Sequence, residues 1–242
     1  MLINTDTLDY KELNAKLREA NADCVVTGCL GQRFIAAGFS KNVFDIEGIP
    51  GNALGAYLNG AQIIVHGNAQ DAVGDTMNDG RIVIRGSVGD AVGYAMRGGE
   101  IYVKGSAGYR AGIHMKEYKE KKPVMVIGGK AGSFLGEYQA GGLIVVLGLD
   151  SGERPIVGNF PCTGMHGGNV FLRCTPEELK ALPKQVNARL ATDEDMGKAL
   201  PFIKNYCKLF DVDFDDVMAA KFTVISPDSK NPYRQMYVTA AS

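Results

Sequence analysis

The chain has 242 residues, of which 45% are hydrophobic and 22% charged, so its composition is that of an ordinary folded protein with one excess, 31 glycines. A formal net charge of −1 provides no bulk attraction to nucleic acid or to an anionic membrane, and we expect neither as a partner. No apolar run approaches the roughly 18 residues of a membrane span, and no export signal opens the chain, which predicts a cytoplasmic protein.

The first predicted element is a helix over residues 7–20. Leu8, Leu13 and Leu17 recur there at helical spacing. We assign residues 1–22 to an N-terminal helical cap, because the end of a stacked repeat exposes unpaired strand edges that another element must cover.

A repeat of 19 residues follows and dominates residues 23–174. Its clearest strand segments, 62–67, 81–86 and 100–105, alternate between an apolar and a polar side. A unit this short cannot bury its own apolar side, so successive units must stack as a solenoid. We therefore predict an all-β fold, a parallel β-helix of about seven coils. The expected inward pairs are Ile63/Val65, Ile82/Ile84 and Ile101/Val103.

Glycines recur at the strand ends and at the corners between strands. Positions that turn sharply, or that bring two backbones close, favour a residue without a Cβ atom. We predict that these glycines are structural and that their substitution lowers stability. They are Gly48, Gly55, Gly67, Gly74, Gly86, Gly93, Gly105, Gly112, Gly129 and Gly136. A further column, formed by Leu58, Met77, Met96 and Met115, is predicted to fill the core.

The later coils contain two excursions, at 113–123 and 149–163, and the copy near Val124 to Gly129 carries one extra residue that leaves its register open. Val145, Leu147 and Phe171 occupy outward positions that are polar in the middle coils. Either the chain's own C-terminal helices or another protein must cover them, and we favour the helices because they follow immediately. Parallel, in-register strands are predicted at 63–65, 82–84, 101–103, 144–146 and 170–172.

The C-terminal segment, residues 175–242, differs from the repeat. Thr175-Pro176-Glu177-Glu178 reads as a capping box with proline at the first helical position. Thr192 and Asp213 have the form of further caps, so we predict a mostly helical stretch over 175–221. A short strand at 222–225 and an irregular tail over 226–242 complete the chain.

Motifs for cofactors and nucleophiles are not recognised in the sequence. Iron–sulfur clusters need closely grouped cysteines, whereas Cys24 and Cys29 form a lone pair and Cys162, Cys174 and Cys207 are widely spread. The odd number of cysteines also argues against a disulfide framework. We therefore predict no catalytic residue and no cofactor site in this chain.

The histidines and the phosphate-loop motif also give no site. Gly129-Lys130 is followed by alanine and lacks the upstream glycine of a phosphate-binding loop. His114 and His166 each follow a glycine by two residues, but an intervening coil sets them roughly 10 Å apart at about 4.8 Å per coil, too far to share a metal. We predict no metal site.

His66, Arg85 and Lys104 share one outward column of the predicted solenoid. Stacked like charges about 4.8 Å apart repel unless solvent or a counter-anion relieves them. Charge columns of this kind are usually solvated, so we favour a solvated face, and the alternative is a place where an acidic partner docks.

These residues together carry a family resemblance. The repeats from Gly48 to Gly148, with Thr163-Gly164-Met165-His166-Gly167-Gly168 before the last strand, resemble the C-terminal GXGXG domain of the glutamate synthase large subunit. Tyr10-Lys11-Glu12-Leu13-Asn14 and the C-terminal tail resemble the stand-alone form of that domain, found where the large subunit is split into separate chains.

The resemblance implies a right-handed β-helix that acts as a structural element between the glutamine amidotransferase and the flavin-containing synthase. It implies no catalytic residue here. The family's nucleophilic N-terminal cysteine has no counterpart, since the chain starts Met1-Leu2. FMN and iron–sulfur clusters are then expected on partner chains, and the expected function is a non-catalytic scaffold subunit, which leaves room for a homo-oligomer.

Two alternatives remain open. A related repeat occurs in one of the subunits of formylmethanofuran dehydrogenase, although the long excursion at 149–163 and the C-terminal helices favour the glutamate synthase type. A polysaccharide-acting β-helix enzyme would need convergent carboxylates on one face. The outward columns Gln62/Arg81/Glu100 and Asp45/Ile64/Val83/Tyr102 contain no acidic ladder, which disfavours that enzyme.

Overall fold

The computed structural model describes residues 1–152, 154–179 and 182–228, and its strands form one eleven-stranded sheet with the order β1-β2-β3-β4-β5-β6-β7-β8-β9-β11-β10. The strands are β1 Leu2–Asn4, β2 Cys24–Leu30, β3 Val43–Ile49, β4 Asn59–Val65, β5 Asp79–Ile84, β6 Glu100–Val103, β7 Val124–Ile127, β8 Ala140–Val146, β9 Gly167–Leu172, β10 Val186–Leu190 and β11 Thr223–Pro227. The helices are α1 Tyr10–Ala20, α2 Asp193–Phe210 and α3 Phe214–Met218, with a 3-10 turn at Pro176–Glu178.

Strands β2 to β9 stack in parallel, one per coil, and confirm the predicted solenoid with about eight coils. Ile63 lies beside Ile82, and Ile82 beside Ile101. Their side chains and those of the Met column are fully buried, because each coil shields the apolar side of its neighbours. The register that the sequence left open is fixed by Val103, which pairs with Ile127.

The repeat glycines fall into two groups that differ in physical role. Gly93 has a φ of +67°, in the left-handed region, and a Cβ atom there would lie 2.3 Å from Cε of Met125 in the core. Gly86 lacks a positive φ, but a Cβ atom there would lie 2.7 Å from the carbonyl of Gly67 on the preceding coil. The corner column therefore requires a turn, whereas the strand-end column requires close backbone approach.

The N-terminal segment covers the first coil as expected, with one difference. Leu13 and Leu17 of α1 are fully buried against the solenoid. The helix begins at Tyr10, later than predicted, because Asp9 and Glu12 form a capping box around its first turn. Residues 2–4 add β1 in parallel to β2, so the open strand edge is closed by a strand as well as by a helix.

The prediction of a mostly helical stretch over 175–221 is wrong for its first part. The capping box at Thr175 starts only the 3-10 turn, and Leu179 already has extended backbone. The chain then forms β10, which pairs antiparallel with β11, and β11 pairs antiparallel with β9. These two strands pair with the backbone groups at the open edge of the last coil. This long-range pairing overrides the local helix signal at Thr175. The predicted strand at 222–225 is confirmed as β11, while the tail beyond 228 lies outside the described residues.

Helix α2 covers the outward face of the sheet. Val145, Leu147 and Phe171 are fully buried there, in a cluster with Ile203 and Phe210 of the helix. Cover by the chain's own helices is confirmed. The covered face is larger than predicted, because Val83 and Tyr102 of the middle coils are buried in the same cluster. None of the helices in the described part of the chain combines the length and apolarity needed to cross a membrane.

Substitution of Gly93 by valine tests the corner column. A β-branched residue at a left-handed φ is strained and must also displace Met125, so we expect a loss of about 1–3 kcal/mol of unfolding free energy, measured by urea denaturation. Gly38 has a similar φ of +74°, but no atom lies within 4 Å of the point that its Cβ would occupy, so Gly38→Val retains the strain without the contact. Equal losses in the two variants would contradict the packing role.

Candidate interaction surfaces

A hydrogen-bonded network fastens α2 to the middle coils. The Arg81 guanidinium donates to Oε2 of Glu100 at 3.0 and 2.8 Å, and the Tyr102 hydroxyl donates to the same oxygen at 3.0 Å. Asn205 of α2 donates to the Tyr102 hydroxyl at 3.3 Å. Burial raises the pKa of Tyr102 well above its usual range, so the phenol stays neutral and serves as a donor.

Helix α2 packs closely against the sheet at Gly128. The Tyr206 hydroxyl donates to the Lys104 carbonyl at 3.0 Å, across 102 residues of sequence. A Cβ atom on Gly128 would overlap that hydroxyl at 1.7 Å. Gly128 is therefore the position that lets α2 approach the sheet, and sequence reasoning missed it because only the neighbouring Gly129 belongs to the repeat pattern.

The predicted basic column stands on three successive coils, but its members have different surroundings. His66, Arg85 and Lys104 are all exposed. His66 is paired with Asp45, and the Arg85 guanidinium donates to the carbonyl of Leu209 at the end of α2 at 3.4 Å. Within the described residues the Lys104 ammonium has no ion-pair partner. In this column His66 is therefore paired with a carboxylate, Arg85 is tethered to the end of α2, and Lys104 is an unpaired cation within the described residues.

The start of α2 is tied to β10 by one carboxylate. Asp195 accepts from Arg189 of β10 and from the backbone N–H of Thr192, the latter at 2.9 Å. The Arg189 hydrogen bond, and after it the Thr192 backbone bond, hold the pKa of Asp195 well below its usual range. The charged carboxylate therefore stabilises the junction between the C-terminal strand pair and the helix.

The cysteines are buried and unreactive. All five are free thiols at buried positions. Burial raises the pKa of Cys29 and Cys174 to about 11 and that of Cys162 to about 12. Because the thiolate is the nucleophile and the metal ligand, these side chains fit neither role at neutral pH. In the ranges the structure describes, no three His, Cys, Asp or Glu side chains converge on a common metal position.

The two histidines of the corners lie in different columns. The His114 ring stacks on Tyr138 of the next coil at 5.1 Å, and the backbone ladder continues from Tyr138 to Thr163. His166 lies further along the chain, where its Nδ1 contacts the Gly164 carbonyl at 3.1 Å. The excursion at 149–163 places Cys162, and not Gly164, at the centre of the last corner, where its N–H bonds to the Leu135 carbonyl. In the sequence, counting from Gly164 aligns His166 with His114, and this two-residue shift is not visible in the glycine spacing.

A cleft of about 560 Å³ opens between the excursion after β8 and the segment after β9. Arg154, Arg173 and Lys221 line it together with Glu178. The Arg173 guanidinium is already committed to the carbonyls of Val217 and Asp216, at 2.8 and 3.0 Å. Burial raises the pKa of the Cys174 thiol in its wall, so this thiol does not fit the role of an activated nucleophile.

Comparisons with known proteins found one matching family model and one similar protein. The sequence profile described as "GXGXG motif" matches residues 7–229. The chain is also 46% identical over 251 aligned residues to the uncharacterized protein MJ1350 of Methanocaldococcus jannaschii, and the alignment covers 98% of this chain and 96% of that protein.

Gly128→Ala tests the contact between α2 and the sheet. Gly128 is not in the left-handed region, so an added methyl group acts through contacts: it must displace the Tyr206 hydroxyl, 1.7 Å away, and the Lys104 carbonyl that accepts from it, 2.2 Å away. We expect a loss of about 1–3 kcal/mol in urea unfolding from the lost packing and the lost hydrogen bond. Tyr206→Phe removes only the hydroxyl and serves as the control, with an expected loss of about 1 kcal/mol. A Gly128→Ala variant as stable as the parent protein would refute the contact.

Asp195→Asn tests the charged junction by its pH dependence. The folded-state pKa of Asp195 is lowered, so its contribution is fully present above the unfolded aspartate pKa of about 3.9 and is lost as pH falls through the lower folded value. We expect the stability gap between parent and variant to be constant from pH 7 to about pH 5 and to shrink below about pH 4. Asp193→Asn, on the exposed side of the same turn, is the matched control. A gap that grows in acid would contradict this assignment.

Proposed function

The chain belongs to the GXGXG motif family, that of the C-terminal domain of the glutamate synthase large subunit, and from this membership we propose that it is a non-catalytic scaffold subunit of a glutamate synthase-like complex. The observation that carries the proposal is the extent of the match, residues 7–229, which takes in the solenoid and the α2–α3 cover. In such a complex the chain contributes surfaces that hold a glutamine amidotransferase chain and an FMN-binding synthase chain in position.

The chemistry of the described side chains supports a scaffold. The five cysteines are dispersed over β2, the last coils and α2 and are buried with raised pKa values, so they do not fit an iron–sulfur cluster. We therefore place the iron–sulfur clusters and FMN of such a complex on the partner chains. Amidotransfer and the synthase reaction would proceed there, and this chain would raise their combined rate by holding both sites in one assembly.

The basic column supplies a docking position for an acidic partner. Lys104 is exposed and unpaired within the described residues, and Arg85 has only one long bond to a carbonyl. Charges at the rim of an interface act mainly on the rate of association and on its salt dependence. The paired His66 contributes less, because Asp45 already neutralises its surroundings.

Affinity purification of the tagged chain from its native cells tests the proposal. We expect an amidotransferase and an FMN-binding synthase to copurify in fixed ratio, and we expect glutamine-dependent glutamate production to rise when purified chains are mixed. The isolated chain should release no ammonia from glutamine. Recovery of formylmethanofuran dehydrogenase chains in place of these partners would support membership of that complex instead, and glutaminase activity of the isolated chain would overturn the scaffold role.

Charge reversal tests the docking column. Arg85→Glu combined with Lys104→Glu should slow association with the partner chains and flatten its dependence on salt, measured by stopped-flow or surface plasmon resonance at several ionic strengths. Lys119→Glu combined with Lys122→Glu makes the same charge change on the excursion before β7 and is the matched control. Identical kinetics in the two double variants would leave the column a solvated face.

A further inference from the structure

One surface of the solenoid has side chains arranged in two columns that the proposed function does not use, and large members of both columns, such as Tyr57 and Phe160, are exposed. We call it the corner face. The centre of each corner is a repeat glycine, or Cys162 in the last coil. The residues two positions before and two positions after this centre adopt a left-handed φ. Equivalent residues of successive coils therefore project in the same direction and form columns. Over the six corners from Gly55 to Cys162, the first column is Ala53, Ala72, Ala91, Arg110, Phe134 and Phe160. The second column is Tyr57, Thr76, Ala95, His114, Tyr138 and Gly164.

Side-chain size divides the first column into two halves. Its early members over these six corners are alanines, and its late members are Arg110, Phe134 and Phe160. The rings of Phe134 and Phe160 stack at 5.5 Å, and the Arg110 guanidinium lies 5.1 Å from the centre of the Phe134 ring. Phe160 is 60% exposed although nothing in a single chain requires an apolar ring in solvent. An exposed cluster of this kind is typical of an interface.

In the coil before Ala53, the first column contains a large side chain and no longer an alanine. Phe34 occupies the same column position there, with a left-handed φ of +59°. Its ring lies 6.2 Å from that of Tyr10 on α1, so the N-terminal cap already provides it with a partner. The graded surface is therefore limited to the six corners beyond the cap.

Charge differs between the two halves of the corner face. The early half presents Asp71, Asp75 and Asp90, which flank the alanines. In the late half Arg110 donates from Nε to Glu137 at 3.2 Å. The early half is therefore acidic, whereas the late half contains an ion pair beside its aromatic side chains.

We propose that the corner face binds a second copy of this chain, turned end to end. A twofold axis lying in the interface, perpendicular to the solenoid axis and between the corners of Gly93 and Gly112, brings each column against itself in reverse order. Large side chains then face small ones at every step of both columns. The first column pairs Arg110 with Ala91, Phe134 with Ala72 and Phe160 with Ala53. The second column pairs His114 with Ala95, Tyr138 with Thr76 and Tyr57 with Gly164.

The axis brings Arg110 of one copy next to Ala91 and Asp90 of the other, and each interface contains this contact twice. Opposite charges that meet in this way fix register and orientation. The same axis sets Asp75 opposite Glu137, whose charge is offset by its ion pair with Arg110. A second copy is the occupant that the structure argues for, because both halves of the size match and both partners of the Arg110–Asp90 contact are present on this chain. The inference stands apart from the scaffold proposal, since the basic column is not part of the corner face.

A swap of large and small residues tests the match. The full-length parent protein should sediment as a dimer at micromolar concentration. Phe134→Ala empties the contact, and Ala72→Phe forces two rings together, so each should raise the dimer dissociation constant at least about tenfold. The double variant restores one ring facing one methyl group and should recover the dimer. Leu190→Ala, which trims an exposed apolar residue on β10, is the control and should leave the dimer unchanged.

Cysteine cross-linking provides a measurement that does not depend on affinity. Ala53 and Phe160 are five coils apart, about 24 Å within one chain at about 4.8 Å per coil, too far for a disulfide. In the proposed dimer they lie opposite each other. Under mild oxidation, Ala53→Cys combined with Phe160→Cys should give a covalent dimer on non-reducing gels, and either single variant should give far less. A monomeric parent protein, a double swap without recovery, or no covalent dimer would each overturn the proposal.

Discussion

The interaction on which this structure depends is the backbone hydrogen bonding of each coil to the next. Parallel, in-register pairing runs from β1 to β9 and satisfies the peptide groups of coils that have no internal ladder of their own. Insertions are tolerated only where the chain leaves the stack and returns. The excursion before β7 rejoins with Val103 beside Ile127, and the one after β8 rejoins with Val146 beside Leu172. The register therefore survives insertions that would shift any local pattern.

Stacking leaves a strand edge at each end and an apolar outer face along one side, and each of these is closed differently. Strand β1 and helix α1 close the first edge, while β11 and β10 close the last by changing to antiparallel pairing. Helix α2 covers the outer face, where Tyr102 and Phe171 are fully buried. The C-terminal segment is thus part of the same folding unit, because both the last strand and the outer face depend on it.

The same geometry gives the solenoid extended surfaces. Repetition at a fixed rise converts single residues into columns, and columns are extended surfaces of uniform character. The apolar columns form the core, with the thiols buried among them and their pKa values raised. Of the remaining columns, one is basic and another changes from small to large side chains along the solenoid axis. A partner that engages such a surface would contact several coils at once, which is the basis of the scaffold role proposed above.

The sequence by itself determined the solenoid, the buried Met column and the cover of Val145 by the chain's own helices, since a period of 19 residues repeats the same local demand in every coil. It did not reveal the strand β10, for which the capping box at Thr175 was a contrary signal, or the burial of Tyr102. It also contained no hint of Gly128, whose partner Tyr206 is on another element. Only the tertiary structure decided these points, because the edge of the last coil and the face under α2 come into existence when distant segments meet, and no local pattern records a contact across about 100 residues.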